Sequence, residues 1–394
     1  MAAPYLLSAE IAAGGREAVR DAAFHGVELD LFGTRVRLRA NRPEPVAAAR
    51  TELGIFEVPP DPAQPPHADI AALLEELPEP CATFVAGDLA WRLRGEDLAA
   101  RAGVVLTHLA ESRVRSAYLA HAGCVSIAGR GVVIAAPSRL GKSTLTAHLA
   151  VRGAGLLSDE LAPLERSSGL ILPAPFPVGI RPGAGEPLVT GKRTTDYEVC
   201  GDRKKLVDVR ALTGRQPAEA VRPDVVVFLT QRAQPSVLTL AKHEGRVRLL
   251  LTGWSAPLDA ALAALPGLIV HSRGEELGLT LLVVEMEDPA TGMPALIGLI
   301  GEHGVALAGV RLEGLEGPDF DAEPELLRIP AAAGVLEFAK KIFPQQLSEM
   351  IRAEHGGRMA PLLAELVRLL RRTAFYKLTP GRLPSMVRAI EGLA

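Results

Sequence analysis

Apolar and polar positions alternate along two short runs near the start of the chain, Val27–Leu31 and Thr34–Leu38, with Phe32-Gly33 between them. A period of two marks a half-buried strand, so the pair is predicted to be a hairpin turning at Phe32-Gly33. The proline-rich stretch Val58–Pro66 cannot hold regular structure and is expected to be a loop. Thr83-Phe84-Val85 and Ala90–Leu93 predict a second strand pair, and apolar spacing from Leu98 to Leu119 predicts a helix. Residues 1–115 therefore read as a small α+β domain without a motif.

Beyond residue 116 the alternation gives way to continuous apolar, β-branched runs. Gly123–Ile127 and Gly131–Ala135 predict strands joined at Gly129-Arg130-Gly131. A helical pattern follows over Leu145–Ala150 and ends at Arg152-Gly153-Ala154-Gly155, where glycine suits a helix C-terminus. Leu156-Leu157-Ser158-Asp159-Glu160 predicts a short strand that delivers two acids at its C-terminal end, and Asp224–Leu229 a further buried strand. Residues 116–245 are expected to form one α/β core. Residues 246–318 have another rhythm: strand Arg246–Leu251, helix Pro257–Leu265, strands Leu268–His271 and Leu279–Val284, helix Met293–Gly301 and strand Val305–Leu312. That order is ferredoxin-like. Residues 319–394 are expected to be helical from Ala331, with one strand at Phe375–Leu378 and a last helix at Pro384–Leu393, packing back on the core.

Composition narrows the class. A chain of 394 residues, 48% apolar and 23% charged, describes a folded protein of two or three domains. A net charge of −3 and an aromatic content of 4% give no case for a nucleic-acid or anionic-membrane partner. Cys81, Cys124 and Cys200 are far apart with no metal-ligand spacing, the usage of a reducing compartment, and are expected to be small buried apolar residues. Met1–Tyr5 opens no basic-then-apolar leader, and no run approaches the roughly 20 apolar residues of a membrane span. A cytoplasmic protein with no membrane partner is expected.

The candidate chemistry lies at Ala135-Ala136-Pro137-Ser138-Arg139-Leu140-Gly141-Lys142-Ser143-Thr144. It follows a strand and opens a helix, the context of a phosphate-binding loop. A helix N-terminus offers unpaired N–H groups and partial positive charge to an anion. Residues 136–144 are thus expected to bind a nucleotide, with Lys142 at the β/γ-phosphates and the Ser143 hydroxyl on Mg²⁺. Ala136 stands where the pattern usually has its first glycine, and Arg139 either adds a phosphate contact or points to solvent. Asp159-Glu160 is expected to return beside the loop strand. Asp159 there would hold Mg²⁺ through water or accept a proton from a hydroxyl; the bland alternative is two acids starting a surface turn. No zinc spacing and no Gly-x-Ser-x-Gly elbow appears.

His121-Ala122-Gly123, the strand pair, the loop, Arg152-Gly153 and Leu157-Ser158-Asp159-Glu160 together resemble the HPr kinase/phosphorylase family, in particular its HPr-kinase-like members outside sugar regulation. The resemblance covers residues 116–240 and, loosely, Lys377-Leu378-Thr379-Pro380-Gly381. It implies an α/β P-loop core of the PEP-carboxykinase/HPr-kinase-like kind, here with an N-terminal α+β domain and a ferredoxin-like α+β insertion. It also implies ATP and Mg as cofactors. Gly141, Lys142, Ser143 and Thr144 match the nucleotide motif, and Asp159 matches the first acid of a pair with base and metal roles. Glu160 replaces the second aspartate. His121 matches a histidine near the phosphates, although read alone it is a core or helix-end histidine. Arg181, in Pro177–Gly183, either clamps a phosphate or sits in a solvated turn. Asp202-Arg203-Lys204-Lys205 either brings a second cation or is a charged loop. The family also forms rings, which leaves a homo-oligomer open. No acidic glycine-rich phosphorylase signature is present, so a kinase-only activity is implied.

The expected function is ATP- and Mg-dependent transfer of the γ-phosphoryl group to a Ser/Thr hydroxyl of a small protein or ribosomally made peptide. A P-loop ATPase or nucleotide-gated binding module is the alternative from another class. Residues 246–315 look like the small C-terminal domain of some ABC-transporter ATPases, but no Leu-Ser-Gly-Gly-Gln signature is present. A small-molecule kinase is the third reading.

Overall fold

The computed structural model is a mixed α/β protein with several sheets. It describes residues 7–8, 13–76, 80–94, 98–137, 140–183, 185–199, 202–230, 245–251, 254–276, 279–305, 307–312 and 320–394. The chain divides into two compact units, one over residues 232–319 and one over residues 6–231 with 320–394.

The larger unit begins with β1 (Leu7–Ser8), α1 (Ala13–Ala22), β2 (His25–Leu31), β3 (Thr34–Ala40), α2 (Pro43–Leu53), β4 (Ala68–Glu75), β5 (Cys81–Ala86), β6 (Leu89–Arg94) and α3 (Leu98–Ser112). The strands form one sheet in the order β1-β6-β5-β4-β3-β2. The β2–β3 hairpin turns as its alternation predicts, with Phe32 at φ 56° and Gly33 at φ 84°, the left-handed pair that a two-residue hairpin favours. Cys81 is buried, and its thiol donates to Glu75 Oε2 at 3.6 Å. The domain core does not stop at residue 115: Val105, Leu106 and Leu109 pack in one cluster with Ala117, Leu119, Leu161 and Phe176 of the following region.

The next elements are β7 (Ala117–Ile127), β8 (Arg130–Ala135), α4 (Lys142–Val151), β9 (Gly155–Ser158), β10 (Leu161–Glu165), β11 (Val178–Ile180), β12 (Thr194–Val199), β13 (Asp202–Val207), α5 (Val209–Thr213) and β14 (Pro223–Leu229). Two expectations need correction here. The helix predicted to Leu119 stops at Ser112, and Ala117 already opens β7. β7 is buried on both faces, with Ala117 and Leu119 in the N-terminal core and Tyr118 and Ala120 in another. Such a strand reads as a continuous apolar run with no alternation to betray it. Asp202–Lys205 is not a loop but most of β13, the middle strand of a small β11-β13-β12 sheet.

The smaller unit holds β15 (Val247–Leu251), α6 (Ala256–Ala263), β16 (Leu268–Glu276), β17 (Leu279–Met286), α7 (Pro289–Glu302) and β18 (Leu307–Leu312). Its sheet runs β16-β17-β15-β18, every pair antiparallel, which is the ferredoxin-like arrangement. Leu249, Leu282, Leu258 and Leu296 join sheet and helices in its core.

The larger unit closes with β19 (Leu326–Ile329), α8 (Ala331–Ala339), α9 (Pro344–His355), α10 (Met359–Leu369), β20 (Ala374–Leu378) and α11 (Leu383–Glu391). Its central sheet has the order β10-β7-β8-β14-β20-β19, with β9 also on β7. β8, β14 and β20 run parallel. Val132 and Ile134 face Leu145 of α4 and Met386 of α11, whereas Val133 and Ala135 face Phe338 of α8 and Leu362 of α10. The sheet is thus covered by helices on both faces, as its parallel strands require.

No helix among the described residues is long and apolar enough to cross a membrane.

Candidate functional site

The β8 strand ends at Ala135, and Gly141 precedes α4 with φ 85° and ψ 14°. That left-handed conformation is costly for any residue with a Cβ, which explains the glycine. Gly141 also brings no capping side chain, so no side-chain cap occupies the first-turn N–H groups of α4. Ala136 and Leu140 are buried and Pro137 is exposed. Ser138 and Arg139 lie outside the described residues. Gly123 on β7 lets α4 come close: a Cβ there would stand 2.4 Å from Thr146 Oγ1.

The acids arrive by a route other than the one expected. β9 does not return beside β8; β7 lies between them. The outer edge of β7 takes β9 opposite Cys124–Ser126 and β10 opposite Ala117–His121. Asp159 and Glu160 form the bend between those two strands, and Leu161 pairs with His121. This register puts His121, on the middle of β7, beside Glu160.

Lys142 closes the cluster. Its side chain is 8% exposed; its Nζ donates to the backbone carbonyl of Asp159 and lies 3.4 Å from Glu160 Oε2. His121 Nδ1 lies 3.5 Å from Glu160 Oε1. The Asp159 side chain is 2% exposed, and its Oδ1 has no hydrogen-bond partner. Lys142, Asp159, Glu160 and His121 are therefore brought together around the first turn of α4.

The electrostatics follow from burial around one ammonium. Burial raises the Asp159 carboxyl above the ordinary aspartate value; Lys142 opposes that rise, Glu160 adds to it, and a hydrogen bond from the Ser143 side chain opposes it. Glu160 goes the other way: burial would raise it, but Lys142, His121 and Lys204 together hold it well below the ordinary glutamate value. Its side chain is also 40% exposed, which favours the charged form. Burial and the Lys142 charge push His121 down to about 3, so its imidazole is neutral at neutral pH. The two acids thus sit side by side with opposite tendencies, a pattern that separates a proton acceptor from a fixed anion.

Arg181, just after β11, lines a cavity of about 420 Å³ with Lys204 and Lys205 of β13. The cavity adjoins α4: a Cβ on Gly185 would touch Ile180 at 3.0 Å and Thr144 Oγ1 at 3.4 Å. The sequence pointed to Arg181 and Lys204 but not to Tyr197, whose ring lies 4.8 Å from Lys204 Nζ and whose hydroxyl donates to Glu52 of α2. Nothing in the local pattern of Tyr197 signals this place, because it depends on the β12–β13 pairing.

Ser143 and Asp159 are hard oxygen donors, and the partnerless Oδ1 of Asp159 is the kind of atom a cation satisfies. These residues fit Mg²⁺.

No protein-family model matches the chain, and no curated protein matches it. Among solved structures, the HPr(Ser) kinase/phosphatase from Coxiella burnetii is similar at 19% sequence identity, covering 47% of this chain and 95% of that one, with a TM-score of 0.21. A likeness at that score establishes neither fold nor function, and the reading below stands on the site's own geometry.

Proposed function

We propose that this chain is an ATP- and Mg-dependent kinase that transfers the γ-phosphoryl group to a Ser/Thr hydroxyl of a small protein or ribosomally made peptide. The observation that carries the reading is the buried Asp159, with a partnerless Oδ1, fixed by its own backbone to the lysine at the start of α4. Phosphoryl transfer needs a phosphate cradle, a cation and a group to orient or deprotonate the acceptor. The first turn of α4 and residues Gly141, Lys142, Ser143 and Thr144 supply the cradle, and Lys142 supplies the cation. Mg²⁺, when bound by Ser143 and Asp159, would neutralise phosphate charge.

With Mg²⁺ reached through water, Asp159 Oδ1 is left to take the acceptor's hydroxyl proton, a task eased by a carboxyl raised above the ordinary aspartate value. Glu160 stays ionised and holds Lys142 in place. Neutral His121 presents Nδ1 3.5 Å from Glu160 Oε1.

The experiment is transfer from γ-labelled ATP in an extract of the source organism, comparing wild type with Asp159→Asn. A labelled small protein or peptide that appears only with wild type supports the reading. Free phosphate with no labelled acceptor overturns it in favour of an ATPase or nucleotide-gated module. A labelled small molecule moves the acceptor to that class.

A further inference from the structure

The cavity beside α4 has a marked charge character. Arg181, Arg203, Lys204 and Lys205 line it against only Glu186 and Asp196, an excess of two positive charges in a chain whose net charge is −3. Ile180 and Val189 give it an apolar floor. Its volume of about 420 Å³ matches that of a small-ligand site.

One further observation ties the cavity to the site. Gly185 and Ile180 bring its wall against Thr144 of α4, as a Cβ on Gly185 would meet both. Lys204 stands in the cavity wall with its ammonium 4.8 Å from the centre of the Tyr197 ring. Arg203 and Lys205 flank Lys204 on β13, one strand residue, about 3.3 Å, to either side. An anion held in the cavity lies beside the wall that meets Thr144 in the first turn of α4.

We propose that this basic cavity is the acceptor subsite and that it selects a peptide carrying acidic side chains within a residue or two of the phosphorylated Ser/Thr. This rests on the kinase reading above and supplies its substrate class. Lys204 would hold the nearest carboxylate, with Arg203 and Lys205 taking the next. Charge-assisted contacts of this kind weaken with salt.

The test is direct binding, which does not depend on turnover. The probe is a fluorescein-labelled hexapeptide with one serine flanked by aspartates, beside its asparagine counterpart and a version with glutamates. Each is titrated by anisotropy into the full-length protein saturated with Mg and a non-hydrolysable ATP analogue. Wild type is expected to bind the aspartate and glutamate peptides at least tenfold tighter than the asparagine peptide, with affinity falling as salt rises.

Arg203→Glu with Lys205→Glu, and the milder Arg203→Gln with Lys205→Gln, are expected to lose that preference while keeping nucleotide affinity within about twofold. Both positions are exposed, and a melting curve reports whether each variant folds. Equal binding of acidic and neutral peptides, no binding of the acidic peptide at millimolar protein, or an unchanged preference in folded double variants would overturn the proposal. So would a tenfold loss of nucleotide affinity in those variants, since the cavity would then belong to the nucleotide. Acidic-peptide binding without label transfer from γ-labelled ATP would instead sink the kinase reading and leave the subsite standing.

Discussion

Lys142 and Glu160, eighteen residues apart, stand 3.4 Å from one another while the same ammonium donates to the Asp159 carbonyl. One cation therefore marks the first residue of α4 and closes the bend between β9 and β10. Any anion at the helix N-terminus meets a lysine whose position is already set by the acids.

Replacing that lysine has two consequences. Lys142→Ala is expected to weaken nucleotide binding at least tenfold, about 1.4 kcal/mol, because it removes a cation placed at the start of α4. It also leaves Glu160 without its principal counter-charge, so the carboxyl rises toward the ordinary range. Titration with a fluorescent ATP analogue measures the first effect. Unchanged affinity would remove residues 136–144 from the nucleotide site.

Asp159→Asn separates chemistry from binding. The variant keeps the backbone carbonyl that holds Lys142. Nucleotide affinity is expected to stay within a few-fold, whereas transfer falls by about 10²–10⁴, the range for loss of a general base. The wild-type carboxyl is buried with one partnerless oxygen and has its pKa raised, so ionising it costs stability. The asparagine variant is therefore expected to melt no lower than wild type. Wild-type transfer rates in this variant would exclude Asp159 from the reaction.

Stability against pH carries a signature of His121. In an unfolded chain a histidine takes its proton near pH 6.5, whereas folded His121 is pushed down to about 3. Between those values the unfolded state binds a proton that the folded state refuses. His121 thus contributes stability that is complete above about pH 6.5 and is lost as the pH falls toward 3, at up to about 1.4 kcal/mol per pH unit. Glu160, lowered from its ordinary value, adds a loss at still lower pH; Asp159, raised, acts in the opposite direction. Urea midpoints between pH 7.5 and 5 are expected to fall more steeply for wild type than for His121→Gln. Parallel slopes would contradict the neutral imidazole.

These residues also show which features were readable from the sequence. The β2–β3 hairpin was visible because one face is buried and its turn carries glycine at φ 84°. Gly141, Lys142 and the acid pair were visible because a tight turn and a helix N-terminus demand particular residue types. β7 was hidden in part because burial on both faces erases alternation, and its first residues extend the apolar spacing of α3. β13 was hidden because Asp202–Lys205 is charged and becomes a strand only by pairing with β11 and β12. The cavity is assembled from β11, β12 and β13 with the short turn at Glu186–Leu188, and no single stretch encodes it.

Gly123 is expected to govern how α4 sits. A methyl group there would stand 2.4 Å from Thr146 Oγ1, far inside van der Waals contact, on the strand that carries His121. Gly123→Ala is expected to cost about 1–3 kcal/mol through overpacking and to weaken nucleotide binding by moving the first turn of α4. Thr146→Ala removes the obstructing atoms, so Gly123→Ala with Thr146→Ala is expected to recover most of both losses. A double-mutant cycle in urea measures the coupling, and purely additive costs would mean that the two do not meet.

Gln346 holds the C-terminal helices to the strand that bears His121. The residue lies on α9 and is fully buried; its Oε1 accepts from Leu119 N at 2.9 Å, and its Nε2 donates to the carbonyls of Val114 at 3.0 Å and Ala117 at 2.8 Å. One side chain thus satisfies three backbone groups where α3 hands over to β7, at a place that water does not reach. Gln346→Leu keeps the size but strands all three, and a buried group left unpaired costs about 1–3 kcal/mol. A loss of about 3 kcal/mol or more is expected in urea. Gln346→Glu keeps the acceptor but turns a carboxylate toward two carbonyl oxygens, so it is expected to be as damaging at neutral pH and milder in acid, where a protonated carboxyl donates again. Hydrogen exchange at Leu119 and His121 localises the effect, because the neighbouring bonds from His121 N to Lys341 O and from Phe343 N to Leu119 O depend on the same seam. A cost below about 1 kcal/mol for Gln346→Leu, with exchange at these amides unchanged, would show that the seam is held by apolar packing and not by the glutamine.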